Sequence, residues 1–389
     1  MFFVDKPYVS EFVKKTLREN NLPVVGTSVA KSLELDAGSV LLSEEEAIER
    51  ARRQNHPILY ATSENCIGWM ARHLSFTDIP AKIELFKNKV KFREMTRPIF
   101  PEFYFREIPM DDLEKIRFED LVVPFIIKPA VGFFSMGVHK VANHGEWVAV
   151  MAAIKAEMER TRGLYPEEVM DSRSFIIEEC IEGEEYAIDA YFDADGKPVV
   201  LGIFKHVFSS GYDVSDRVYV SSKSIIEENL VGFTEILGKI GTMAGVRNFP
   251  VHVEVRRTDE GRVLPIEVNP MRFGGWCTTA DMTFCAYGFN PYLYYFAQQR
   301  PDWDAILRGK DGKLFSIIVL DNASGIEAKD ISCFDYDRLL TRFECPLELR
   351  KIDYREYPVF GFLFTQTRES NFAELERILI SDLKEFIRT

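Results

Sequence analysis

The sequence predicts a multidomain chain, with a small α/β unit followed by a larger α+β body. Three observations carry this. At 389 residues the chain exceeds what one ordinary core organises, so two to four subdomains are expected. The first eighty or so residues alternate short apolar runs with helical stretches, the pattern of a parallel sheet. The stretch Phe249–Gly275, FPVHVEVRRTDEGRVLPIEVNPMRFGG, reads as two strands joined by the turn Thr258–Arg262.

Composition narrows the class. An apolar share of 46% and a charged share of 28% fit a soluble globular protein. A net charge of −13 argues against nucleic acid as partner, while leaving room for local basic pockets that take small anions. The six cysteines (Cys66, Cys180, Cys277, Cys285, Cys333, Cys345) form no CxxC pair. With no signal peptide they read as reduced thiols of a cytoplasmic protein. No apolar run approaches membrane-spanning length, so no membrane partner is expected. The histidines show no HxH or HExxH spacing, so zinc is not expected.

In chain order, Phe2–Val4, Val24–Val25 and Pro57–Tyr60 read as strands. Val9–Asn20 reads as a helix, and Ser43-Glu44-Glu45-Glu46 opens another with an N-cap and an acidic first turn. Residues 82–97 form a helix dense in lysine and arginine, either a solvated face or a source of one cation for a phosphate. Leu121–Val141 holds a buried strand, Phe125–Ile127, that ends on Lys128, with Pro129 stopping the ladder. A glycine-bounded loop, Gly132–Gly137, follows and leads into a strand Val138–Val141. A lysine leaving a buried strand costs free energy unless it meets an anion. Trp147–Arg160 is a helix. Ser174–Glu185 runs from a strand into a turn at Gly183, and Tyr186–Phe192 pairs with Pro198–Phe208 as a hairpin. Ser209–Ser224 is polar and suits either a mobile loop over a site or an ordinary connection. A helix Ile225–Ala244 ends at Gly245. Met282–Gln298 is rich in aromatics that read as core. The tail has strands Leu314–Leu320 and Val359–Thr365 and an amphipathic helix Glu374–Ile387.

The hairpin is the most informative stretch. With Thr258 opposite Val263, Val251, Val253 and Val255 share one apolar face with Ile266, Val268 and Pro270. The other face sets Glu254 against Glu267, His252 against Asn269 and Arg256 against Pro265. Like charges directly opposite repel. Two carboxylates and an amide oxygen suit a hard divalent cation such as Mg²⁺. A solvated polar face neutralised by Arg256 and Arg272 is the competing reading.

FIIKPAVGFFSMGV, IIEECIEGEEY and HVEV…LPIEVNPMRFGG, in this order, resemble the ATP-grasp superfamily, which includes biotin carboxylase, D-alanine–D-alanine ligase and carbamoyl-phosphate synthase. The resemblance covers about residues 85–300. It implies an ATP-grasp fold with an N-terminal α/β domain (1–84), small (85–170) and large (171–305) ATP-grasp subdomains, and a compact α+β tail (306–389). It implies ATP and Mg²⁺ or Mn²⁺ as cofactors. Lys89, Lys128 and Ser135 would contact phosphates. Glu178, Glu179 and Ile181 form the adenine hinge, and Glu185 would hold the ribose. Glu254, Glu267 and Asn269 would be metal ligands. Arg272, one position later than the family's N-x-R pattern, would reach the transferred phosphoryl or acid group, and Lys205 would be a further phosphate contact. The implied activity is a carboxylate–amine ligase forming ADP through an acyl phosphate, with small carboxylate and amine substrates. Carboxylate–thiol ligation, kinase-like transfer and non-catalytic nucleotide binding are the alternatives. A homodimer is left open.

Overall fold

The computed structural model describes residues 1–33, 35, 38–132, 137–161, 171–210 and 215–389. Four parallel strands open the chain: β1 (Phe2–Phe3), β2 (Val24–Val25), β3 (Leu41–Leu42) and β4 (Tyr60–Ala61), in the order β3-β2-β1-β4. Helices α1 (Glu11–Glu19), α2 (Ser28–Ser32) and α3 (Glu44–Arg52) connect them. The acidic run after Ser43 does what its residue types predict. The Ser43 hydroxyl accepts the Glu46 N–H and the Glu46 carboxylate accepts the Ser43 N–H, a capping box of about 1 kcal/mol.

The expected single helix over 82–97 is two. After α4 (Ile67–His73), α5 (Ile79–Lys87) stops at Asn88, whose extended backbone and side-chain oxygen cap α6 (Lys89–Thr96). A small antiparallel sheet follows: β5 (Phe105–Pro109), β6 (Phe125–Val131), β7 (His139–Val141) and β8 (Asp171–Glu179), ordered β5-β8-β6-β7. Pro129 does not end β6. The strand stays paired with β8 beyond it, and proline is tolerated because β7 covers only Phe125–Ile127. Helix α7 (His144–Thr161) packs Trp147 edge-on against Phe125, at 5.7 Å between ring centroids.

The large sheet has eight antiparallel strands among the described residues. They are β9 (Glu184–Phe192), β10 (Pro198–Val207), β11 (Val218–Ser222), β12 (Phe249–Arg257), β13 (Val263–Pro270), β14 (Lys313–Asp321), and two more after the short β15 (Cys333–Phe334): β16 (Cys345–Lys351) and β17 (Val359–Arg368). Their order is β13-β12-β9-β10-β11-β14-β17-β16. Part of the polar stretch 209–224 is therefore strand: Val218–Ser222 joins β10 to β14, and Lys223 opens α8 (Lys223–Ala244). Residues 211–214 lie outside the described residues. Gly245 closes α8 in the left-handed region at φ +62°.

The tail strands thus extend the same sheet instead of forming a separate one. The expected helix 374–387 is shorter, Ala373–Leu379, because Leu383 adopts φ +62° and the chain returns as β18 (Ile387–Arg388) beside β15. The N-terminal unit and large sheet share one core, in which Phe2 stacks on Phe296 at 4.8 Å and Tyr60 contacts Phe273 at 5.0 Å. Tyr287, Phe289, Tyr292 and Tyr295 are buried as expected, whereas Phe284 is exposed.

Candidate active site

The hairpin β12–β13 carries the first part of the site. Val251 faces Pro270, His252 faces Asn269, Val253 faces Val268 and Glu254 faces Glu267, as the alternation predicts. Beyond Glu254 the register slips: Val255 faces Pro265 and Arg256 faces Leu264, so Ile266 is an extra residue. Such a bulge is not encoded in the apolar/polar alternation, and it moves only the turn end of the hairpin. Glu254 and Glu267 stay face to face. Burial, then Glu267, pushes the Glu254 carboxyl well above its usual range. Burial also acts to raise Glu267, but Lys89 and Lys87 outweigh it and hold that carboxyl low. The pair is therefore short of positive charge on the Glu254 side.

One lysine, on a helix, meets this pair, and a second, on a strand, lies beyond it. Lys89, the first residue of α6, puts Nζ 3.2 Å from Glu267 Oε2 and 3.4 Å from the Gly132 carbonyl. Lys128 is buried on β6 and pairs with Glu178 Oε1. The other Glu178 oxygen accepts from Arg93 Nε at 2.9 Å, and Arg93 Nη1 reaches the Pro265 carbonyl at 2.7 Å, beside the bulge. Burial pushes Glu178 up, but Arg93 and Lys128 together bring it down to about 2. Lys128 is lowered, by burial first and then by the nearby Lys89 and Arg93, because it shares one carboxylate with a second cation. Glu178 is thus a buried side-chain anchor for Lys128, on the strand that the resemblance assigns to the adenine hinge.

Glu179 accepts the Tyr104 N–H at 3.2 Å. The Ile181 N–H makes no hydrogen bond among the described residues, while the Ile181 carbonyl accepts from Arg256 Nη1 at 2.6 Å. Arg256 also donates from Nε and Nη2 to Glu185 Oε2, at 3.0 and 2.9 Å. Glu185 Oε1 lies 3.0 Å from His206 Nδ1. Lys205 is not on this face. It pairs with Tyr186 in register, and Tyr186 shares the side of the sheet that packs Phe233 of α8. Its Nζ pairs with Glu184. Period-two alternation puts His206, not Lys205, on the side of Glu185 and Glu254. Ser135 lies outside the described residues.

Arg272 meets neither Glu254 nor Glu267 directly. Met271 takes φ +67° and sinks into the core, and this turn carries Arg272 to Glu64 of the N-terminal unit. Arg272 Nη2 and Nε lie 2.6 and 3.2 Å from Glu64 Oε1, and Lys87 Nζ lies 2.6 Å from Glu64 Oε2. Burial acts to raise Glu64, but Lys87 and Arg272 hold it at about 2. Sequence reasoning missed Glu64 and His206 as members of this cluster, had Lys87 and Arg93 only within a basic run expected to offer one cation, and had Arg256 only as a counter-charge to the hairpin glutamates. Arg93 had a signal in its four-residue spacing from Lys89 on one helix face. Glu64 had none, since its partners Lys87 and Arg272 lie 23 and 208 positions away.

The donor set fits a hard divalent cation. Asn269 is 3% exposed and its Oδ1 has no hydrogen-bond partner among the described residues, beside two opposed carboxylates. No group of three or more His, Cys, Asp or Glu that could hold a metal is found among the described residues, and Glu254, Glu267 and Asn269 bring together two carboxylates and one amide.

Residues 121–280 match the family model described as an ATP-grasp domain. The whole chain is also similar to solved structures. Superposition on the L-amino acid ligase from Bacillus licheniformis gives a TM-score of 0.70 at 17% identity, covering 100% of this chain and 97% of that one. This is an ATP-grasp fold. An N5-carboxyaminoimidazole synthase from Aspergillus clavatus, in complex with ADP and a ribonucleotide, gives 0.63 at 13% identity over 99% and 97% of the two chains. A biotin carboxylase from Campylobacter jejuni gives 0.62 at 12% identity over 100% and 91%. No curated protein matches this chain by sequence. No helix among its described residues is long and apolar enough to cross a membrane.

Proposed function

We propose that this ATP-grasp protein is an ATP- and Mg²⁺-dependent carboxylate–amine ligase that forms ADP and phosphate. The observation that carries the reading is the meeting of Lys89 with Glu267, opposite Glu254 and beside the Asn269 oxygen that has no partner among the described residues. A lysine and a hard-cation donor set in contact suit the polyphosphate of a nucleotide. Glu254, Glu267 and Asn269 would hold Mg²⁺, which when bound neutralises charge on the phosphates.

The chain's own residues support the remaining steps. Lys128, braced by Glu178, and Lys89 would bind the phosphates. The Ile181 N–H, without a partner among the described residues, would meet the adenine edge, and Glu185, its oxygens shared by Arg256 and His206, would lie beside the ribose. Arg272, oriented by Glu64, would hold the acid with its carboxylate facing the γ-phosphate. Phosphoryl transfer converts the acid's poor leaving group into phosphate, and attack by an amine then releases phosphate and forms the amide. The acid is an amino acid or another small metabolite. The ligase named among the similar structures acts on L-amino acids, which sets the first substrates to try.

The test is ADP release from MgATP with pooled L-amino acids and small carboxylates, with and without amines and thiols. Amine-dependent ADP and phosphate release is expected. ADP release that requires a thiol, or a phosphorylated alcohol as product, would refute amide formation.

A further inference from the structure

Asp189 belongs to none of the groups above. It lies on β9, 1% exposed, on the same face as Glu185. Its carboxylate takes hydrogen bonds from three separate segments. Oδ1 accepts from His252 Nδ1 at 2.7 Å and from the Gly274 N–H at 3.0 Å, and Oδ2 accepts from the Thr279 hydroxyl. The Gly274 N–H is also 2.8 Å from Thr279 Oγ1, so the three groups close a ring. There is no slack in it, since a Cβ on Gly274 would fall 2.2 Å from that hydroxyl.

A buried carboxylate needs several donors wherever it sits. What distinguishes Asp189 is which donors it has. His252 stands opposite Asn269 on the hairpin that carries Glu254 and Glu267, with Nε2 3.8 Å from Glu254 Oε1. Gly274 is two residues after Arg272, in the turn that leads into α9 (Thr278–Tyr287), and Thr279 is in the first turn of that helix. One side chain therefore fixes the distance between the hairpin and the turn that carries Arg272.

We propose that Asp189 is a positioning residue that sets the Arg272 turn, and with it the acid substrate, against the metal and phosphate groups. This rests on the ligase reading for the step it serves. The geometry demands it because an in-line transfer tolerates little misplacement, and about 1 Å of drift lowers the rate about 100-fold.

The test uses the full-length chain with four proteins: wild type, Asp189→Ala, Thr279→Val and Thr279→Ser. MgADP affinity is measured by calorimetry, and ADP release from MgATP is measured with pooled L-amino acids. Asp189→Ala and Thr279→Val are expected to bind MgADP within about threefold of wild type while amino-acid-dependent turnover falls by about 100-fold and about 10-fold. Thr279→Ser keeps the hydroxyl and is expected to restore turnover. Retained turnover in Asp189→Ala overturns the proposal, as does a loss of MgADP affinity equal to the loss of turnover. If Asp189→Ala does not fold, the Thr279 pair decides by the same criteria. A wild type that binds MgADP but turns over no amino acid refutes the ligase reading for these substrates. Hydrogen exchange with MgADP bound then decides the positioning role. Residues 272–279 are expected to exchange faster in Asp189→Ala and Thr279→Val but not in Thr279→Ser, with β12–β13 unchanged. Equal exchange in all four overturns it.

Discussion

Glu178→Gln is the sharpest test of the buried charge cluster. The carboxylate serves Lys128 and Arg93 at once and is almost fully buried. Its pKa falls from an ordinary 4.5 to about 2. At about 1.4 kcal/mol per pKa unit, the ionised form is worth about 3 kcal/mol of stability at pH 7. The folded value is the depressed one, so this stability is complete above about pH 5 and is lost as pH falls toward 2. At pH 3 about 1 kcal/mol should remain. The glutamine is isosteric but neutral, so it leaves two buried cations without a counter-charge, a loss of about 3–5 kcal/mol at pH 7. Urea unfolding of wild type and variant in parallel, at pH 7 and pH 3, measures the difference. It should be large at pH 7 and shrink by about 2 kcal/mol at pH 3. A variant within 1 kcal/mol of wild type at pH 7, or a difference independent of pH, would refute the account of Glu178 as a two-cation anchor.

Lys128→Ala should weaken MgADP binding by about 1.5–3 kcal/mol by calorimetry, and unchanged affinity would remove it from the phosphate site. Glu267→Gln should abolish Mg²⁺-dependent turnover with the thermal transition retained, because the residue lies on the polar face of the hairpin and not in the core. Mn²⁺ affinity, followed by electron paramagnetic resonance, should rise with pH as Glu254 loses its proton, since its carboxyl is held above the usual range. Glu254→Gln should flatten that dependence. Arg272→Lys should keep nucleotide affinity and lose acid-dependent ADP formation, because lysine offers no planar fork. Glu64→Gln should show the same split, whereas a loss in Arg272→Lys alone would mean that Glu64 does not orient it.

What the sequence determined by itself was local. Alternation in Phe249–Pro270 put Glu254, Glu267 and Asn269 on one face, and the observed register there agrees. The Ser43 cap, the Gly245 stop and the parallel N-terminal sheet were equally legible, because each depends on residues within a few positions or on a short periodic pattern. Where reading failed, the deciding interaction was long-range or lay in one backbone angle. Lys205 and His206 are neighbours, and only the register of β9 against β10 says which of them faces Glu185. The bulge at Ile266 shifts half a hairpin without changing its pattern. Met271 at φ +67° sends Arg272 to Glu64, 208 positions earlier, where local preference carries no information. Leu314–Leu320 and Val359–Thr365 read as strands of a compact tail, yet β14 pairs with β11 of the large sheet and β17 pairs with β14. A strand's period fixes which side chains share a face, but its partner strand is chosen by packing of the whole chain. The tertiary structure alone therefore decided which charges meet: Arg93 with Glu178, Lys89 with Glu267, and Arg272 and Lys87 with Glu64.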